Sequence, residues 1–152
     1  MNRLLLTLAI TTTVGSLLSS NPAAAQVLPA AKRAERVEIT TAPALELATD
    51  HLTIIRWTTN NPGSSDVHYG IVHYGTDPRD LTQTAKSPIR LNQGQPYTVF
   101  RVRMEGLKPR TTYYYRVTSE ESNGKSDGME STVNKFTTPG PGERIVAYPK
   151  RN

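Results

Sequence analysis

A chain of 152 residues suits one domain and leaves little over for a second. The absence of cysteine excludes disulfides, thiolate metal sites and a lipid anchor on a terminal cysteine. The formal net charge of +5 is spread over interleaved Lys, Arg, Asp and Glu with no long run of one sign, and this argues against the basic stripe that nucleic-acid binding requires. A loose attraction to anionic polysaccharide or lipid head groups remains open on charge alone.

The chain begins with a short basic start at Met1–Arg3 and an apolar run through Leu4, Leu5, Leu6, Leu8, Ala9 and Ile10 that resumes at Val14, Leu17 and Leu18. Ser19, Ser20, Asn21 and Pro22 break the run, and Ala23, Ala24 and Ala25 supply the small side chains of a cleavage site. This three-part pattern predicts a secretory signal peptide over 1–25, cut after Ala25. The run is too short and too rich in Thr and Ser to anchor the chain across a bilayer, so no transmembrane anchor is expected. Cleavage removes one arginine and no acid, leaving a mildly basic mature chain from Gln26. Residues 26–35 are small, Ala-rich and mixed in charge, and read as a linker.

From there short apolar-polar alternations follow one another between turn signals. Val37 and Ile39 alternate into Pro43, and Leu45 and Leu47 continue to a turn at Thr49-Asp50. Residues 52–59 are dense in β-branched and aromatic types, which suit a half-buried pleated surface. A loop over 60–65 leads to a strand at 67–74, within which Val-His-Tyr-Gly occurs at 67–70 and again at 72–75. After a turn at 76–80, Leu81, Thr82, Gln83 and Thr84 form a weak polar strand fit for an edge. Beyond a turn at 92–96, Phe100, Val102 and Met104 alternate with Arg101, Arg103 and Glu105. Tyr113, Tyr115 and Val117 alternate with Tyr114, Arg116 and Thr118, a polar hairpin loop fills 122–128, and 133–138 closes the set before Pro139-Gly140-Pro141-Gly142. No stretch keeps a helical period. The expected fold class is all-β: a seven-stranded antiparallel immunoglobulin-like sandwich over 36–139, with 140–152 as a C-terminal tail.

Leu107-Lys108-Pro109-Arg110-Thr111-Thr112-Tyr113 resembles the L-x-P-x-T-x-Y corner of fibronectin type III domains. The resemblance implies a buried Tyr113 whose hydroxyl returns to backbone just upstream. It also implies Leu107 beneath it, a buried Trp57 with Ile55 beside it, and Val72 and Tyr74 facing inward. The structural core is therefore expected at Trp57, Leu107, Pro109, Tyr113 and Tyr115. Within that group, Ile55-Arg56-Trp57-Thr58-Thr59, Tyr74-Gly75-Thr76-Asp77-Pro78 with Leu81-Thr82, and Tyr113-Tyr114-Tyr115-Arg116-Val117 resemble the N-terminal sandwich that precedes the catalytic domain of purple acid phosphatases. In that family the sandwich carries no metal ligands. The catalytic domain would need several hundred further residues, whereas this sequence stops at Asn152.

Candidate chemistry is sparse. Asp66-Val67-His68 has the D-x-H spacing that opens a metallophosphoesterase site, but the further Asp, Asn and His elements such a site needs do not follow. His51, His68 and His73 are the three histidines. His68 and His73, five apart, fall on opposite faces of an unbroken strand, and only a bulge at Gly70 would reunite them. The acid pair Glu120-Glu121 reads as a solvated strand end. Neither a G-x-S-x-G nucleophile context nor a phosphate-binding loop occurs. No catalytic residue, metal ligand or cofactor is expected.

The expected binding face comprises Tyr69, Ile71 and His73 from one central strand with Tyr114 and Arg116 from its neighbour, the aromatic-plus-Arg composition of protein-binding surfaces. Cross-strand packing alone would give the same composition. The other sheet would show Arg56, Arg101 and Arg103 outward as a small basic strip. Residues 143–148 alternate and are expected either to join a neighbour's sheet edge or to form a loose end. The expected function is an exported, non-catalytic binding or spacer module of the periplasm or cell surface, its partner a protein or a cell-surface polymer. Alternatives are an accessory subunit of a metallophosphatase or other hydrolase, and a self-assembling surface subunit.

Overall fold

Alternation along the strands divides the chain into inward and outward sets. The computed structural model, which describes residues 33–62, 65–91 and 94–147, shows where each set goes. The expected leader and its cleavage site at Ala25 lie outside the described residues, as does the end of the tail. The strands are β1 (Ile39–Thr49), β2 (Leu52–Asn60), β3 (Val67–Gly75), β4 (Gln83–Arg90), β5 (Tyr97–Glu105), β6 (Thr112–Glu121), β7 (Ser126–Glu130), β8 (Asn134–Thr137) and β9 (Arg144–Val146). One sheet runs β5-β2-β1-β9 and the other β4-β3-β6-β7, with β8 also on β6. All strand pairings in both sheets are antiparallel. The protein is a fibronectin type III-like β-sandwich.

Six of the expected strands appear as β1 to β6, and the seventh position is divided. β7 pairs the second half of β6 and β8 its first half. The division falls at Ser131, which is buried, donates its N–H to the Val117 carbonyl at 3.0 Å and accepts the Val117 N–H on its Oγ at 2.9 Å. Three boundaries differ from the sequence reading. The edge strand β4 runs over Gln83–Arg90 rather than 81–84, with Ala85, Ser87 and Ile89 turned inward. Pro88 is tolerated in it because β4 is the edge strand of its sheet. The expected hairpin loop over 122–128 shrinks to a tight turn, since Glu121 N–H donates to the Lys125 carbonyl and Gly124 takes a φ of 84° that favours glycine. Residues 144–146, expected at a neighbour's edge or loose, instead pair with β1 of their own chain as β9.

The core is an aromatic stack between the sheets. Trp57 and Phe100, neighbours on β2 and β5, stack with centroids 5.2 Å apart, and Tyr113 stacks on Phe136 at 5.7 Å. Tyr74 meets the edge of Tyr113 at 6.1 Å. The Tyr113 hydroxyl accepts the Lys108 N–H at 2.9 Å, which closes the corner, and Leu107 is buried beneath. Trp57, Tyr113 and Tyr115 are buried as expected, and burial pushes the Tyr115 hydroxyl pKa up to about 12. Pro109 is not core. It is exposed at the turn, where its carbonyl accepts the Thr111 hydroxyl, so its part is to shape the corner. Pro43, which lacks an N–H, sits where the β1–β2 register slips between Thr41 and Ala44.

Candidate functional site

On the β4-β3-β6-β7 sheet the unbroken β3–β6 register sets His73 against Arg116, Ile71 against Thr118 and Gly75 against Tyr114. Tyr69, Ile71, His73, Tyr114 and Arg116 therefore share one outward face, all half-buried. Their polar groups are matched within that face. Arg116 pairs with Glu130 at 2.5 Å, Lys86 pairs with Glu120, and the Lys86 ammonium stands 4.4 Å over the Tyr69 ring. His73 Nε2 shares a hydrogen bond with the Thr118 hydroxyl at 2.9 Å. Burial, and then the Arg116 charge, hold the His73 imidazole below its ordinary pKa. Exposed pairs of this kind contribute little stability each. They satisfy Arg116 and Lys86, while Lys135, opposite Tyr114 on β8, has no carboxylate partner among the described residues.

The outer face of the β5-β2-β1-β9 sheet differs. A shallow groove of about 640 Å³ crosses it, floored by Leu47, Ile54, Val99, Val146 and Ala147, with Arg56 and the Arg101–Glu46 pair on its walls. Strand pairing explains the electrostatics. The cross-strand neighbours of Arg56 are Ala44 on β1 and Arg101 on β5. Arg101 is held by Glu46, and Arg103 by Glu105 at 2.5 Å. Among the described residues Arg56 has no carboxylate partner and faces a like charge, an arrangement that disfavours the isolated sheet. The expected basic strip of Arg56, Arg101 and Arg103 is thus present. Its aliphatic floor was missed, although Ile54 shares parity with Arg56 and Val99 with Arg101. Val146, at 39% exposure, enters only through the β9 pairing.

His68 and His73 stay on opposite faces, because the β3 ladder has no bulge. His68 is 1% exposed at one end of the sandwich, and its Nδ1 has no hydrogen-bond partner among the described residues. It lines a cleft of about 490 Å³ with Glu121, Asp127, Lys125 and the N-terminal segment at Arg33–Glu35. Burial holds its pKa down, opposed by the charges of Asp127 and Glu121. Asp127 is already occupied, accepting the Ser119 hydroxyl at 2.5 Å and the Met129 N–H at 3.0 Å. Asp66 of the D-x-H spacing is engaged by Arg33. Among the described residues no group of three or more His, Asp or Glu side chains is placed to hold a metal.

Residues 41–138 match the family model described as the purple acid phosphatase N-terminal domain. The chain belongs to this family. The match runs from within β1 to the residue after β8, so it takes in the Trp57 and Tyr113 core and both outer faces up to β8, while β9 lies beyond it. No curated protein matches the chain. Among solved structures, the sensor domain of the anti-sigma factor RsgI4 of Pseudobacteroides cellulosolvens is similar in a short form, at 22% identity over 68% of this chain and 95% of that one, with a TM-score of 0.48. A longer form of the same domain gives 18% identity over 74% and 99%, with a TM-score of 0.48. The third fibronectin III domain of the human KIAA0343 protein gives 15% identity over 66% and 82%, with a TM-score of 0.36. These likenesses say nothing of a shared ligand or partner.

In this purple acid phosphatase N-terminal domain the two outer faces therefore differ: on one the arginine and Lys86 are matched by carboxylates and Lys135 is not, and on the other, among the described residues, Arg56 has no counter-charge.

Proposed function

We propose that the chain is an exported, non-catalytic binding module that acts through an outer sheet face, in the periplasm or at the cell surface. The observation that carries this reading is the groove on the β5-β2-β1-β9 sheet, an aliphatic floor beside Arg56, which no carboxylate of the described residues meets. Export is supported by the leader pattern of residues 1–25. Among the described residues no helix is long and apolar enough to cross a membrane. The non-catalytic reading is supported by the isolation of His68 from any set of ligands and by the internal pairing of Asp66. Family membership favours a second reading in which the partner is a hydrolase and the module an accessory subunit beside it.

Export and chemistry are tested together by recovering the tagged chain from cell fractions and assaying it. The expected result is an envelope or medium fraction whose first peptide starts at Gln26 and which does not turn over p-nitrophenyl phosphate with added Fe, Mn or Zn. Cytoplasmic recovery with Met1 retained contradicts export, and turnover lost on His68→Ala contradicts the non-catalytic reading.

A further inference from the structure

We propose that the groove on the β5-β2-β1-β9 sheet docks an extended, acidic segment of another protein, whose carboxylate pairs with Arg56 and whose aliphatic side chains fill the floor. This deepens the binding-module reading and rests on it. The sheet register gives the first reason. Arg56 is flanked by Ala44 on one side and by Arg101 on the other, so no carboxylate of the described chain is its cross-strand neighbour. The balance of the whole face gives the second. Arg101 and Arg103 share its outward side with Arg56, and Arg144 lies two residues before Val146 on β9 and so on the same side. Against these four stand, among the described residues, Glu46 and Glu105, already paired, and Glu38 beside Asn60 at the end of the sheet. The face is cationic in sum, and charge complementarity selects an acidic partner.

The floor decides what kind of acid. Leu47, Ile54, Val99, Val146 and Ala147 offer aliphatic contact beside the charge. An acidic polysaccharide supplies anions without aliphatic groups to desolvate that floor. A polypeptide with Asp or Glu among Val, Ile or Leu supplies both, and arginine beside apolar area is the composition of surfaces that bind such segments. On the opposite sheet Arg116 is met by Glu130 and Lys86 by Glu120, which leaves Lys135, beside Tyr114 and Val133, as a cation that no carboxylate of the described residues meets, and a lysine lacks the fork with which arginine grips a carboxylate.

The test is selection of random dodecapeptides on the immobilised exported chain, with heparin and phosphatidylglycerol vesicles as parallel probes. Enriched peptides are expected to carry Asp or Glu interleaved with aliphatic residues. Arg56→Glu is expected to weaken them by about tenfold or more, the loss of one well-placed charge pair, and Tyr114→Ala on the other face to leave them unchanged. A melting curve checks that Arg56→Glu folds. Should it not, amide shifts of the wild-type chain on titration with the best peptide replace it, and they are expected at Ile54, Arg56, Val99 and Val146. Enrichment without acids, no enrichment, retention by Arg56→Glu, or shifts centred on Tyr114 or His68 overturns the proposal. So does tighter binding of heparin or vesicles than of any peptide, or concentration-dependent self-association abolished by Arg56→Glu. A natural partner that still binds Arg56→Glu removes this face and keeps the binding-module reading. The absence of any partner and any peptide removes both.

Discussion

Gly70 of β3 lies directly against the indole of Trp57, so closely that a Cβ at position 70 would stand 2.9 Å from Trp57 Cη2 and 2.8 Å from Phe100 Cδ1. Both contacts are rigid ring atoms in the packed centre, and they cannot swing aside. A strand-interior glycine would otherwise be a weakness, because alanine there stabilises through the unfolded chain by about 0.4–1 kcal/mol. Overpacking costs about 1–3 kcal/mol, and the overpacking term wins. Gly70→Ala is expected to lower the melting temperature by several degrees, at about 4–8 °C per kcal/mol for a domain of this size. A melting temperature equal to wild type or higher contradicts this packing account.

The Tyr113 hydroxyl and the exposed Pro109 belong to one sequence motif but differ in structural weight. Tyr113→Phe removes the acceptor of the Lys108 N–H and is expected to cost about 0.5–1.5 kcal/mol in urea unfolding. Pro109→Ala, on an exposed ring, is expected to cost less than Tyr113→Phe. The reverse order would mean that the turn, and not the hydroxyl, holds the corner.

Burial holds both His68 and His73 below their ordinary pKa of 6.5, so the folded chain keeps them neutral at pH values where the unfolded chain protonates them. Stability from this source is present above pH 6.5 and declines as pH falls below it, through the lowered folded pKa values. Melting temperatures from pH 8 to pH 5 are expected to fall through this window, less steeply in His68→Gln. A profile flat to pH 5, or an identical slope in the variant, contradicts a buried neutral His68.

The β9 strand closes the edge of β1, with the Ala147 N–H reaching the Glu46 carbonyl at 3.0 Å. Truncation after Pro139 is expected to lower the melting temperature by a few degrees and to leave a folded monomer in size exclusion, since β1 to β8 retain the core. Unfolding on truncation would give β9 a larger part. Loss of oligomers would mean that it pairs between copies instead.

What was legible in the sequence follows from what each signal depends on. Trp57, Tyr113 and the alternation of β2, β5 and β6 are local signals that a central, half-buried strand requires, and they placed the core correctly. The extent of β4 has no strong local signal, because Lys86 and Pro88 are residues that an edge strand accepts but that do not mark one. Ser126, Asp127 and Gly128 have turn composition, yet they form β7 because the Glu121–Lys125 turn ends early and Met129 is buried. The groove was half legible. Its arginines stood out as charges, while Val146 reaches it only through a long-range pairing that no local pattern encodes. The burial of His68 is likewise a product of the N-terminal segment folding over the sandwich end, where the Ala34 N–H reaches the Asn61 carbonyl at 2.7 Å.

The central claim is that this module binds through Arg56 and the groove beside it. Its most direct test is a side-by-side pull-down from the producing cell's envelope with three tagged chains: wild type, Arg56→Glu and Tyr114→Ala. A protein with an acidic, aliphatic segment that is captured by wild type and Tyr114→Ala and lost from Arg56→Glu is the predicted result. Capture that survives Arg56→Glu, capture lost in Tyr114→Ala alone, or three lanes of bait contradict it.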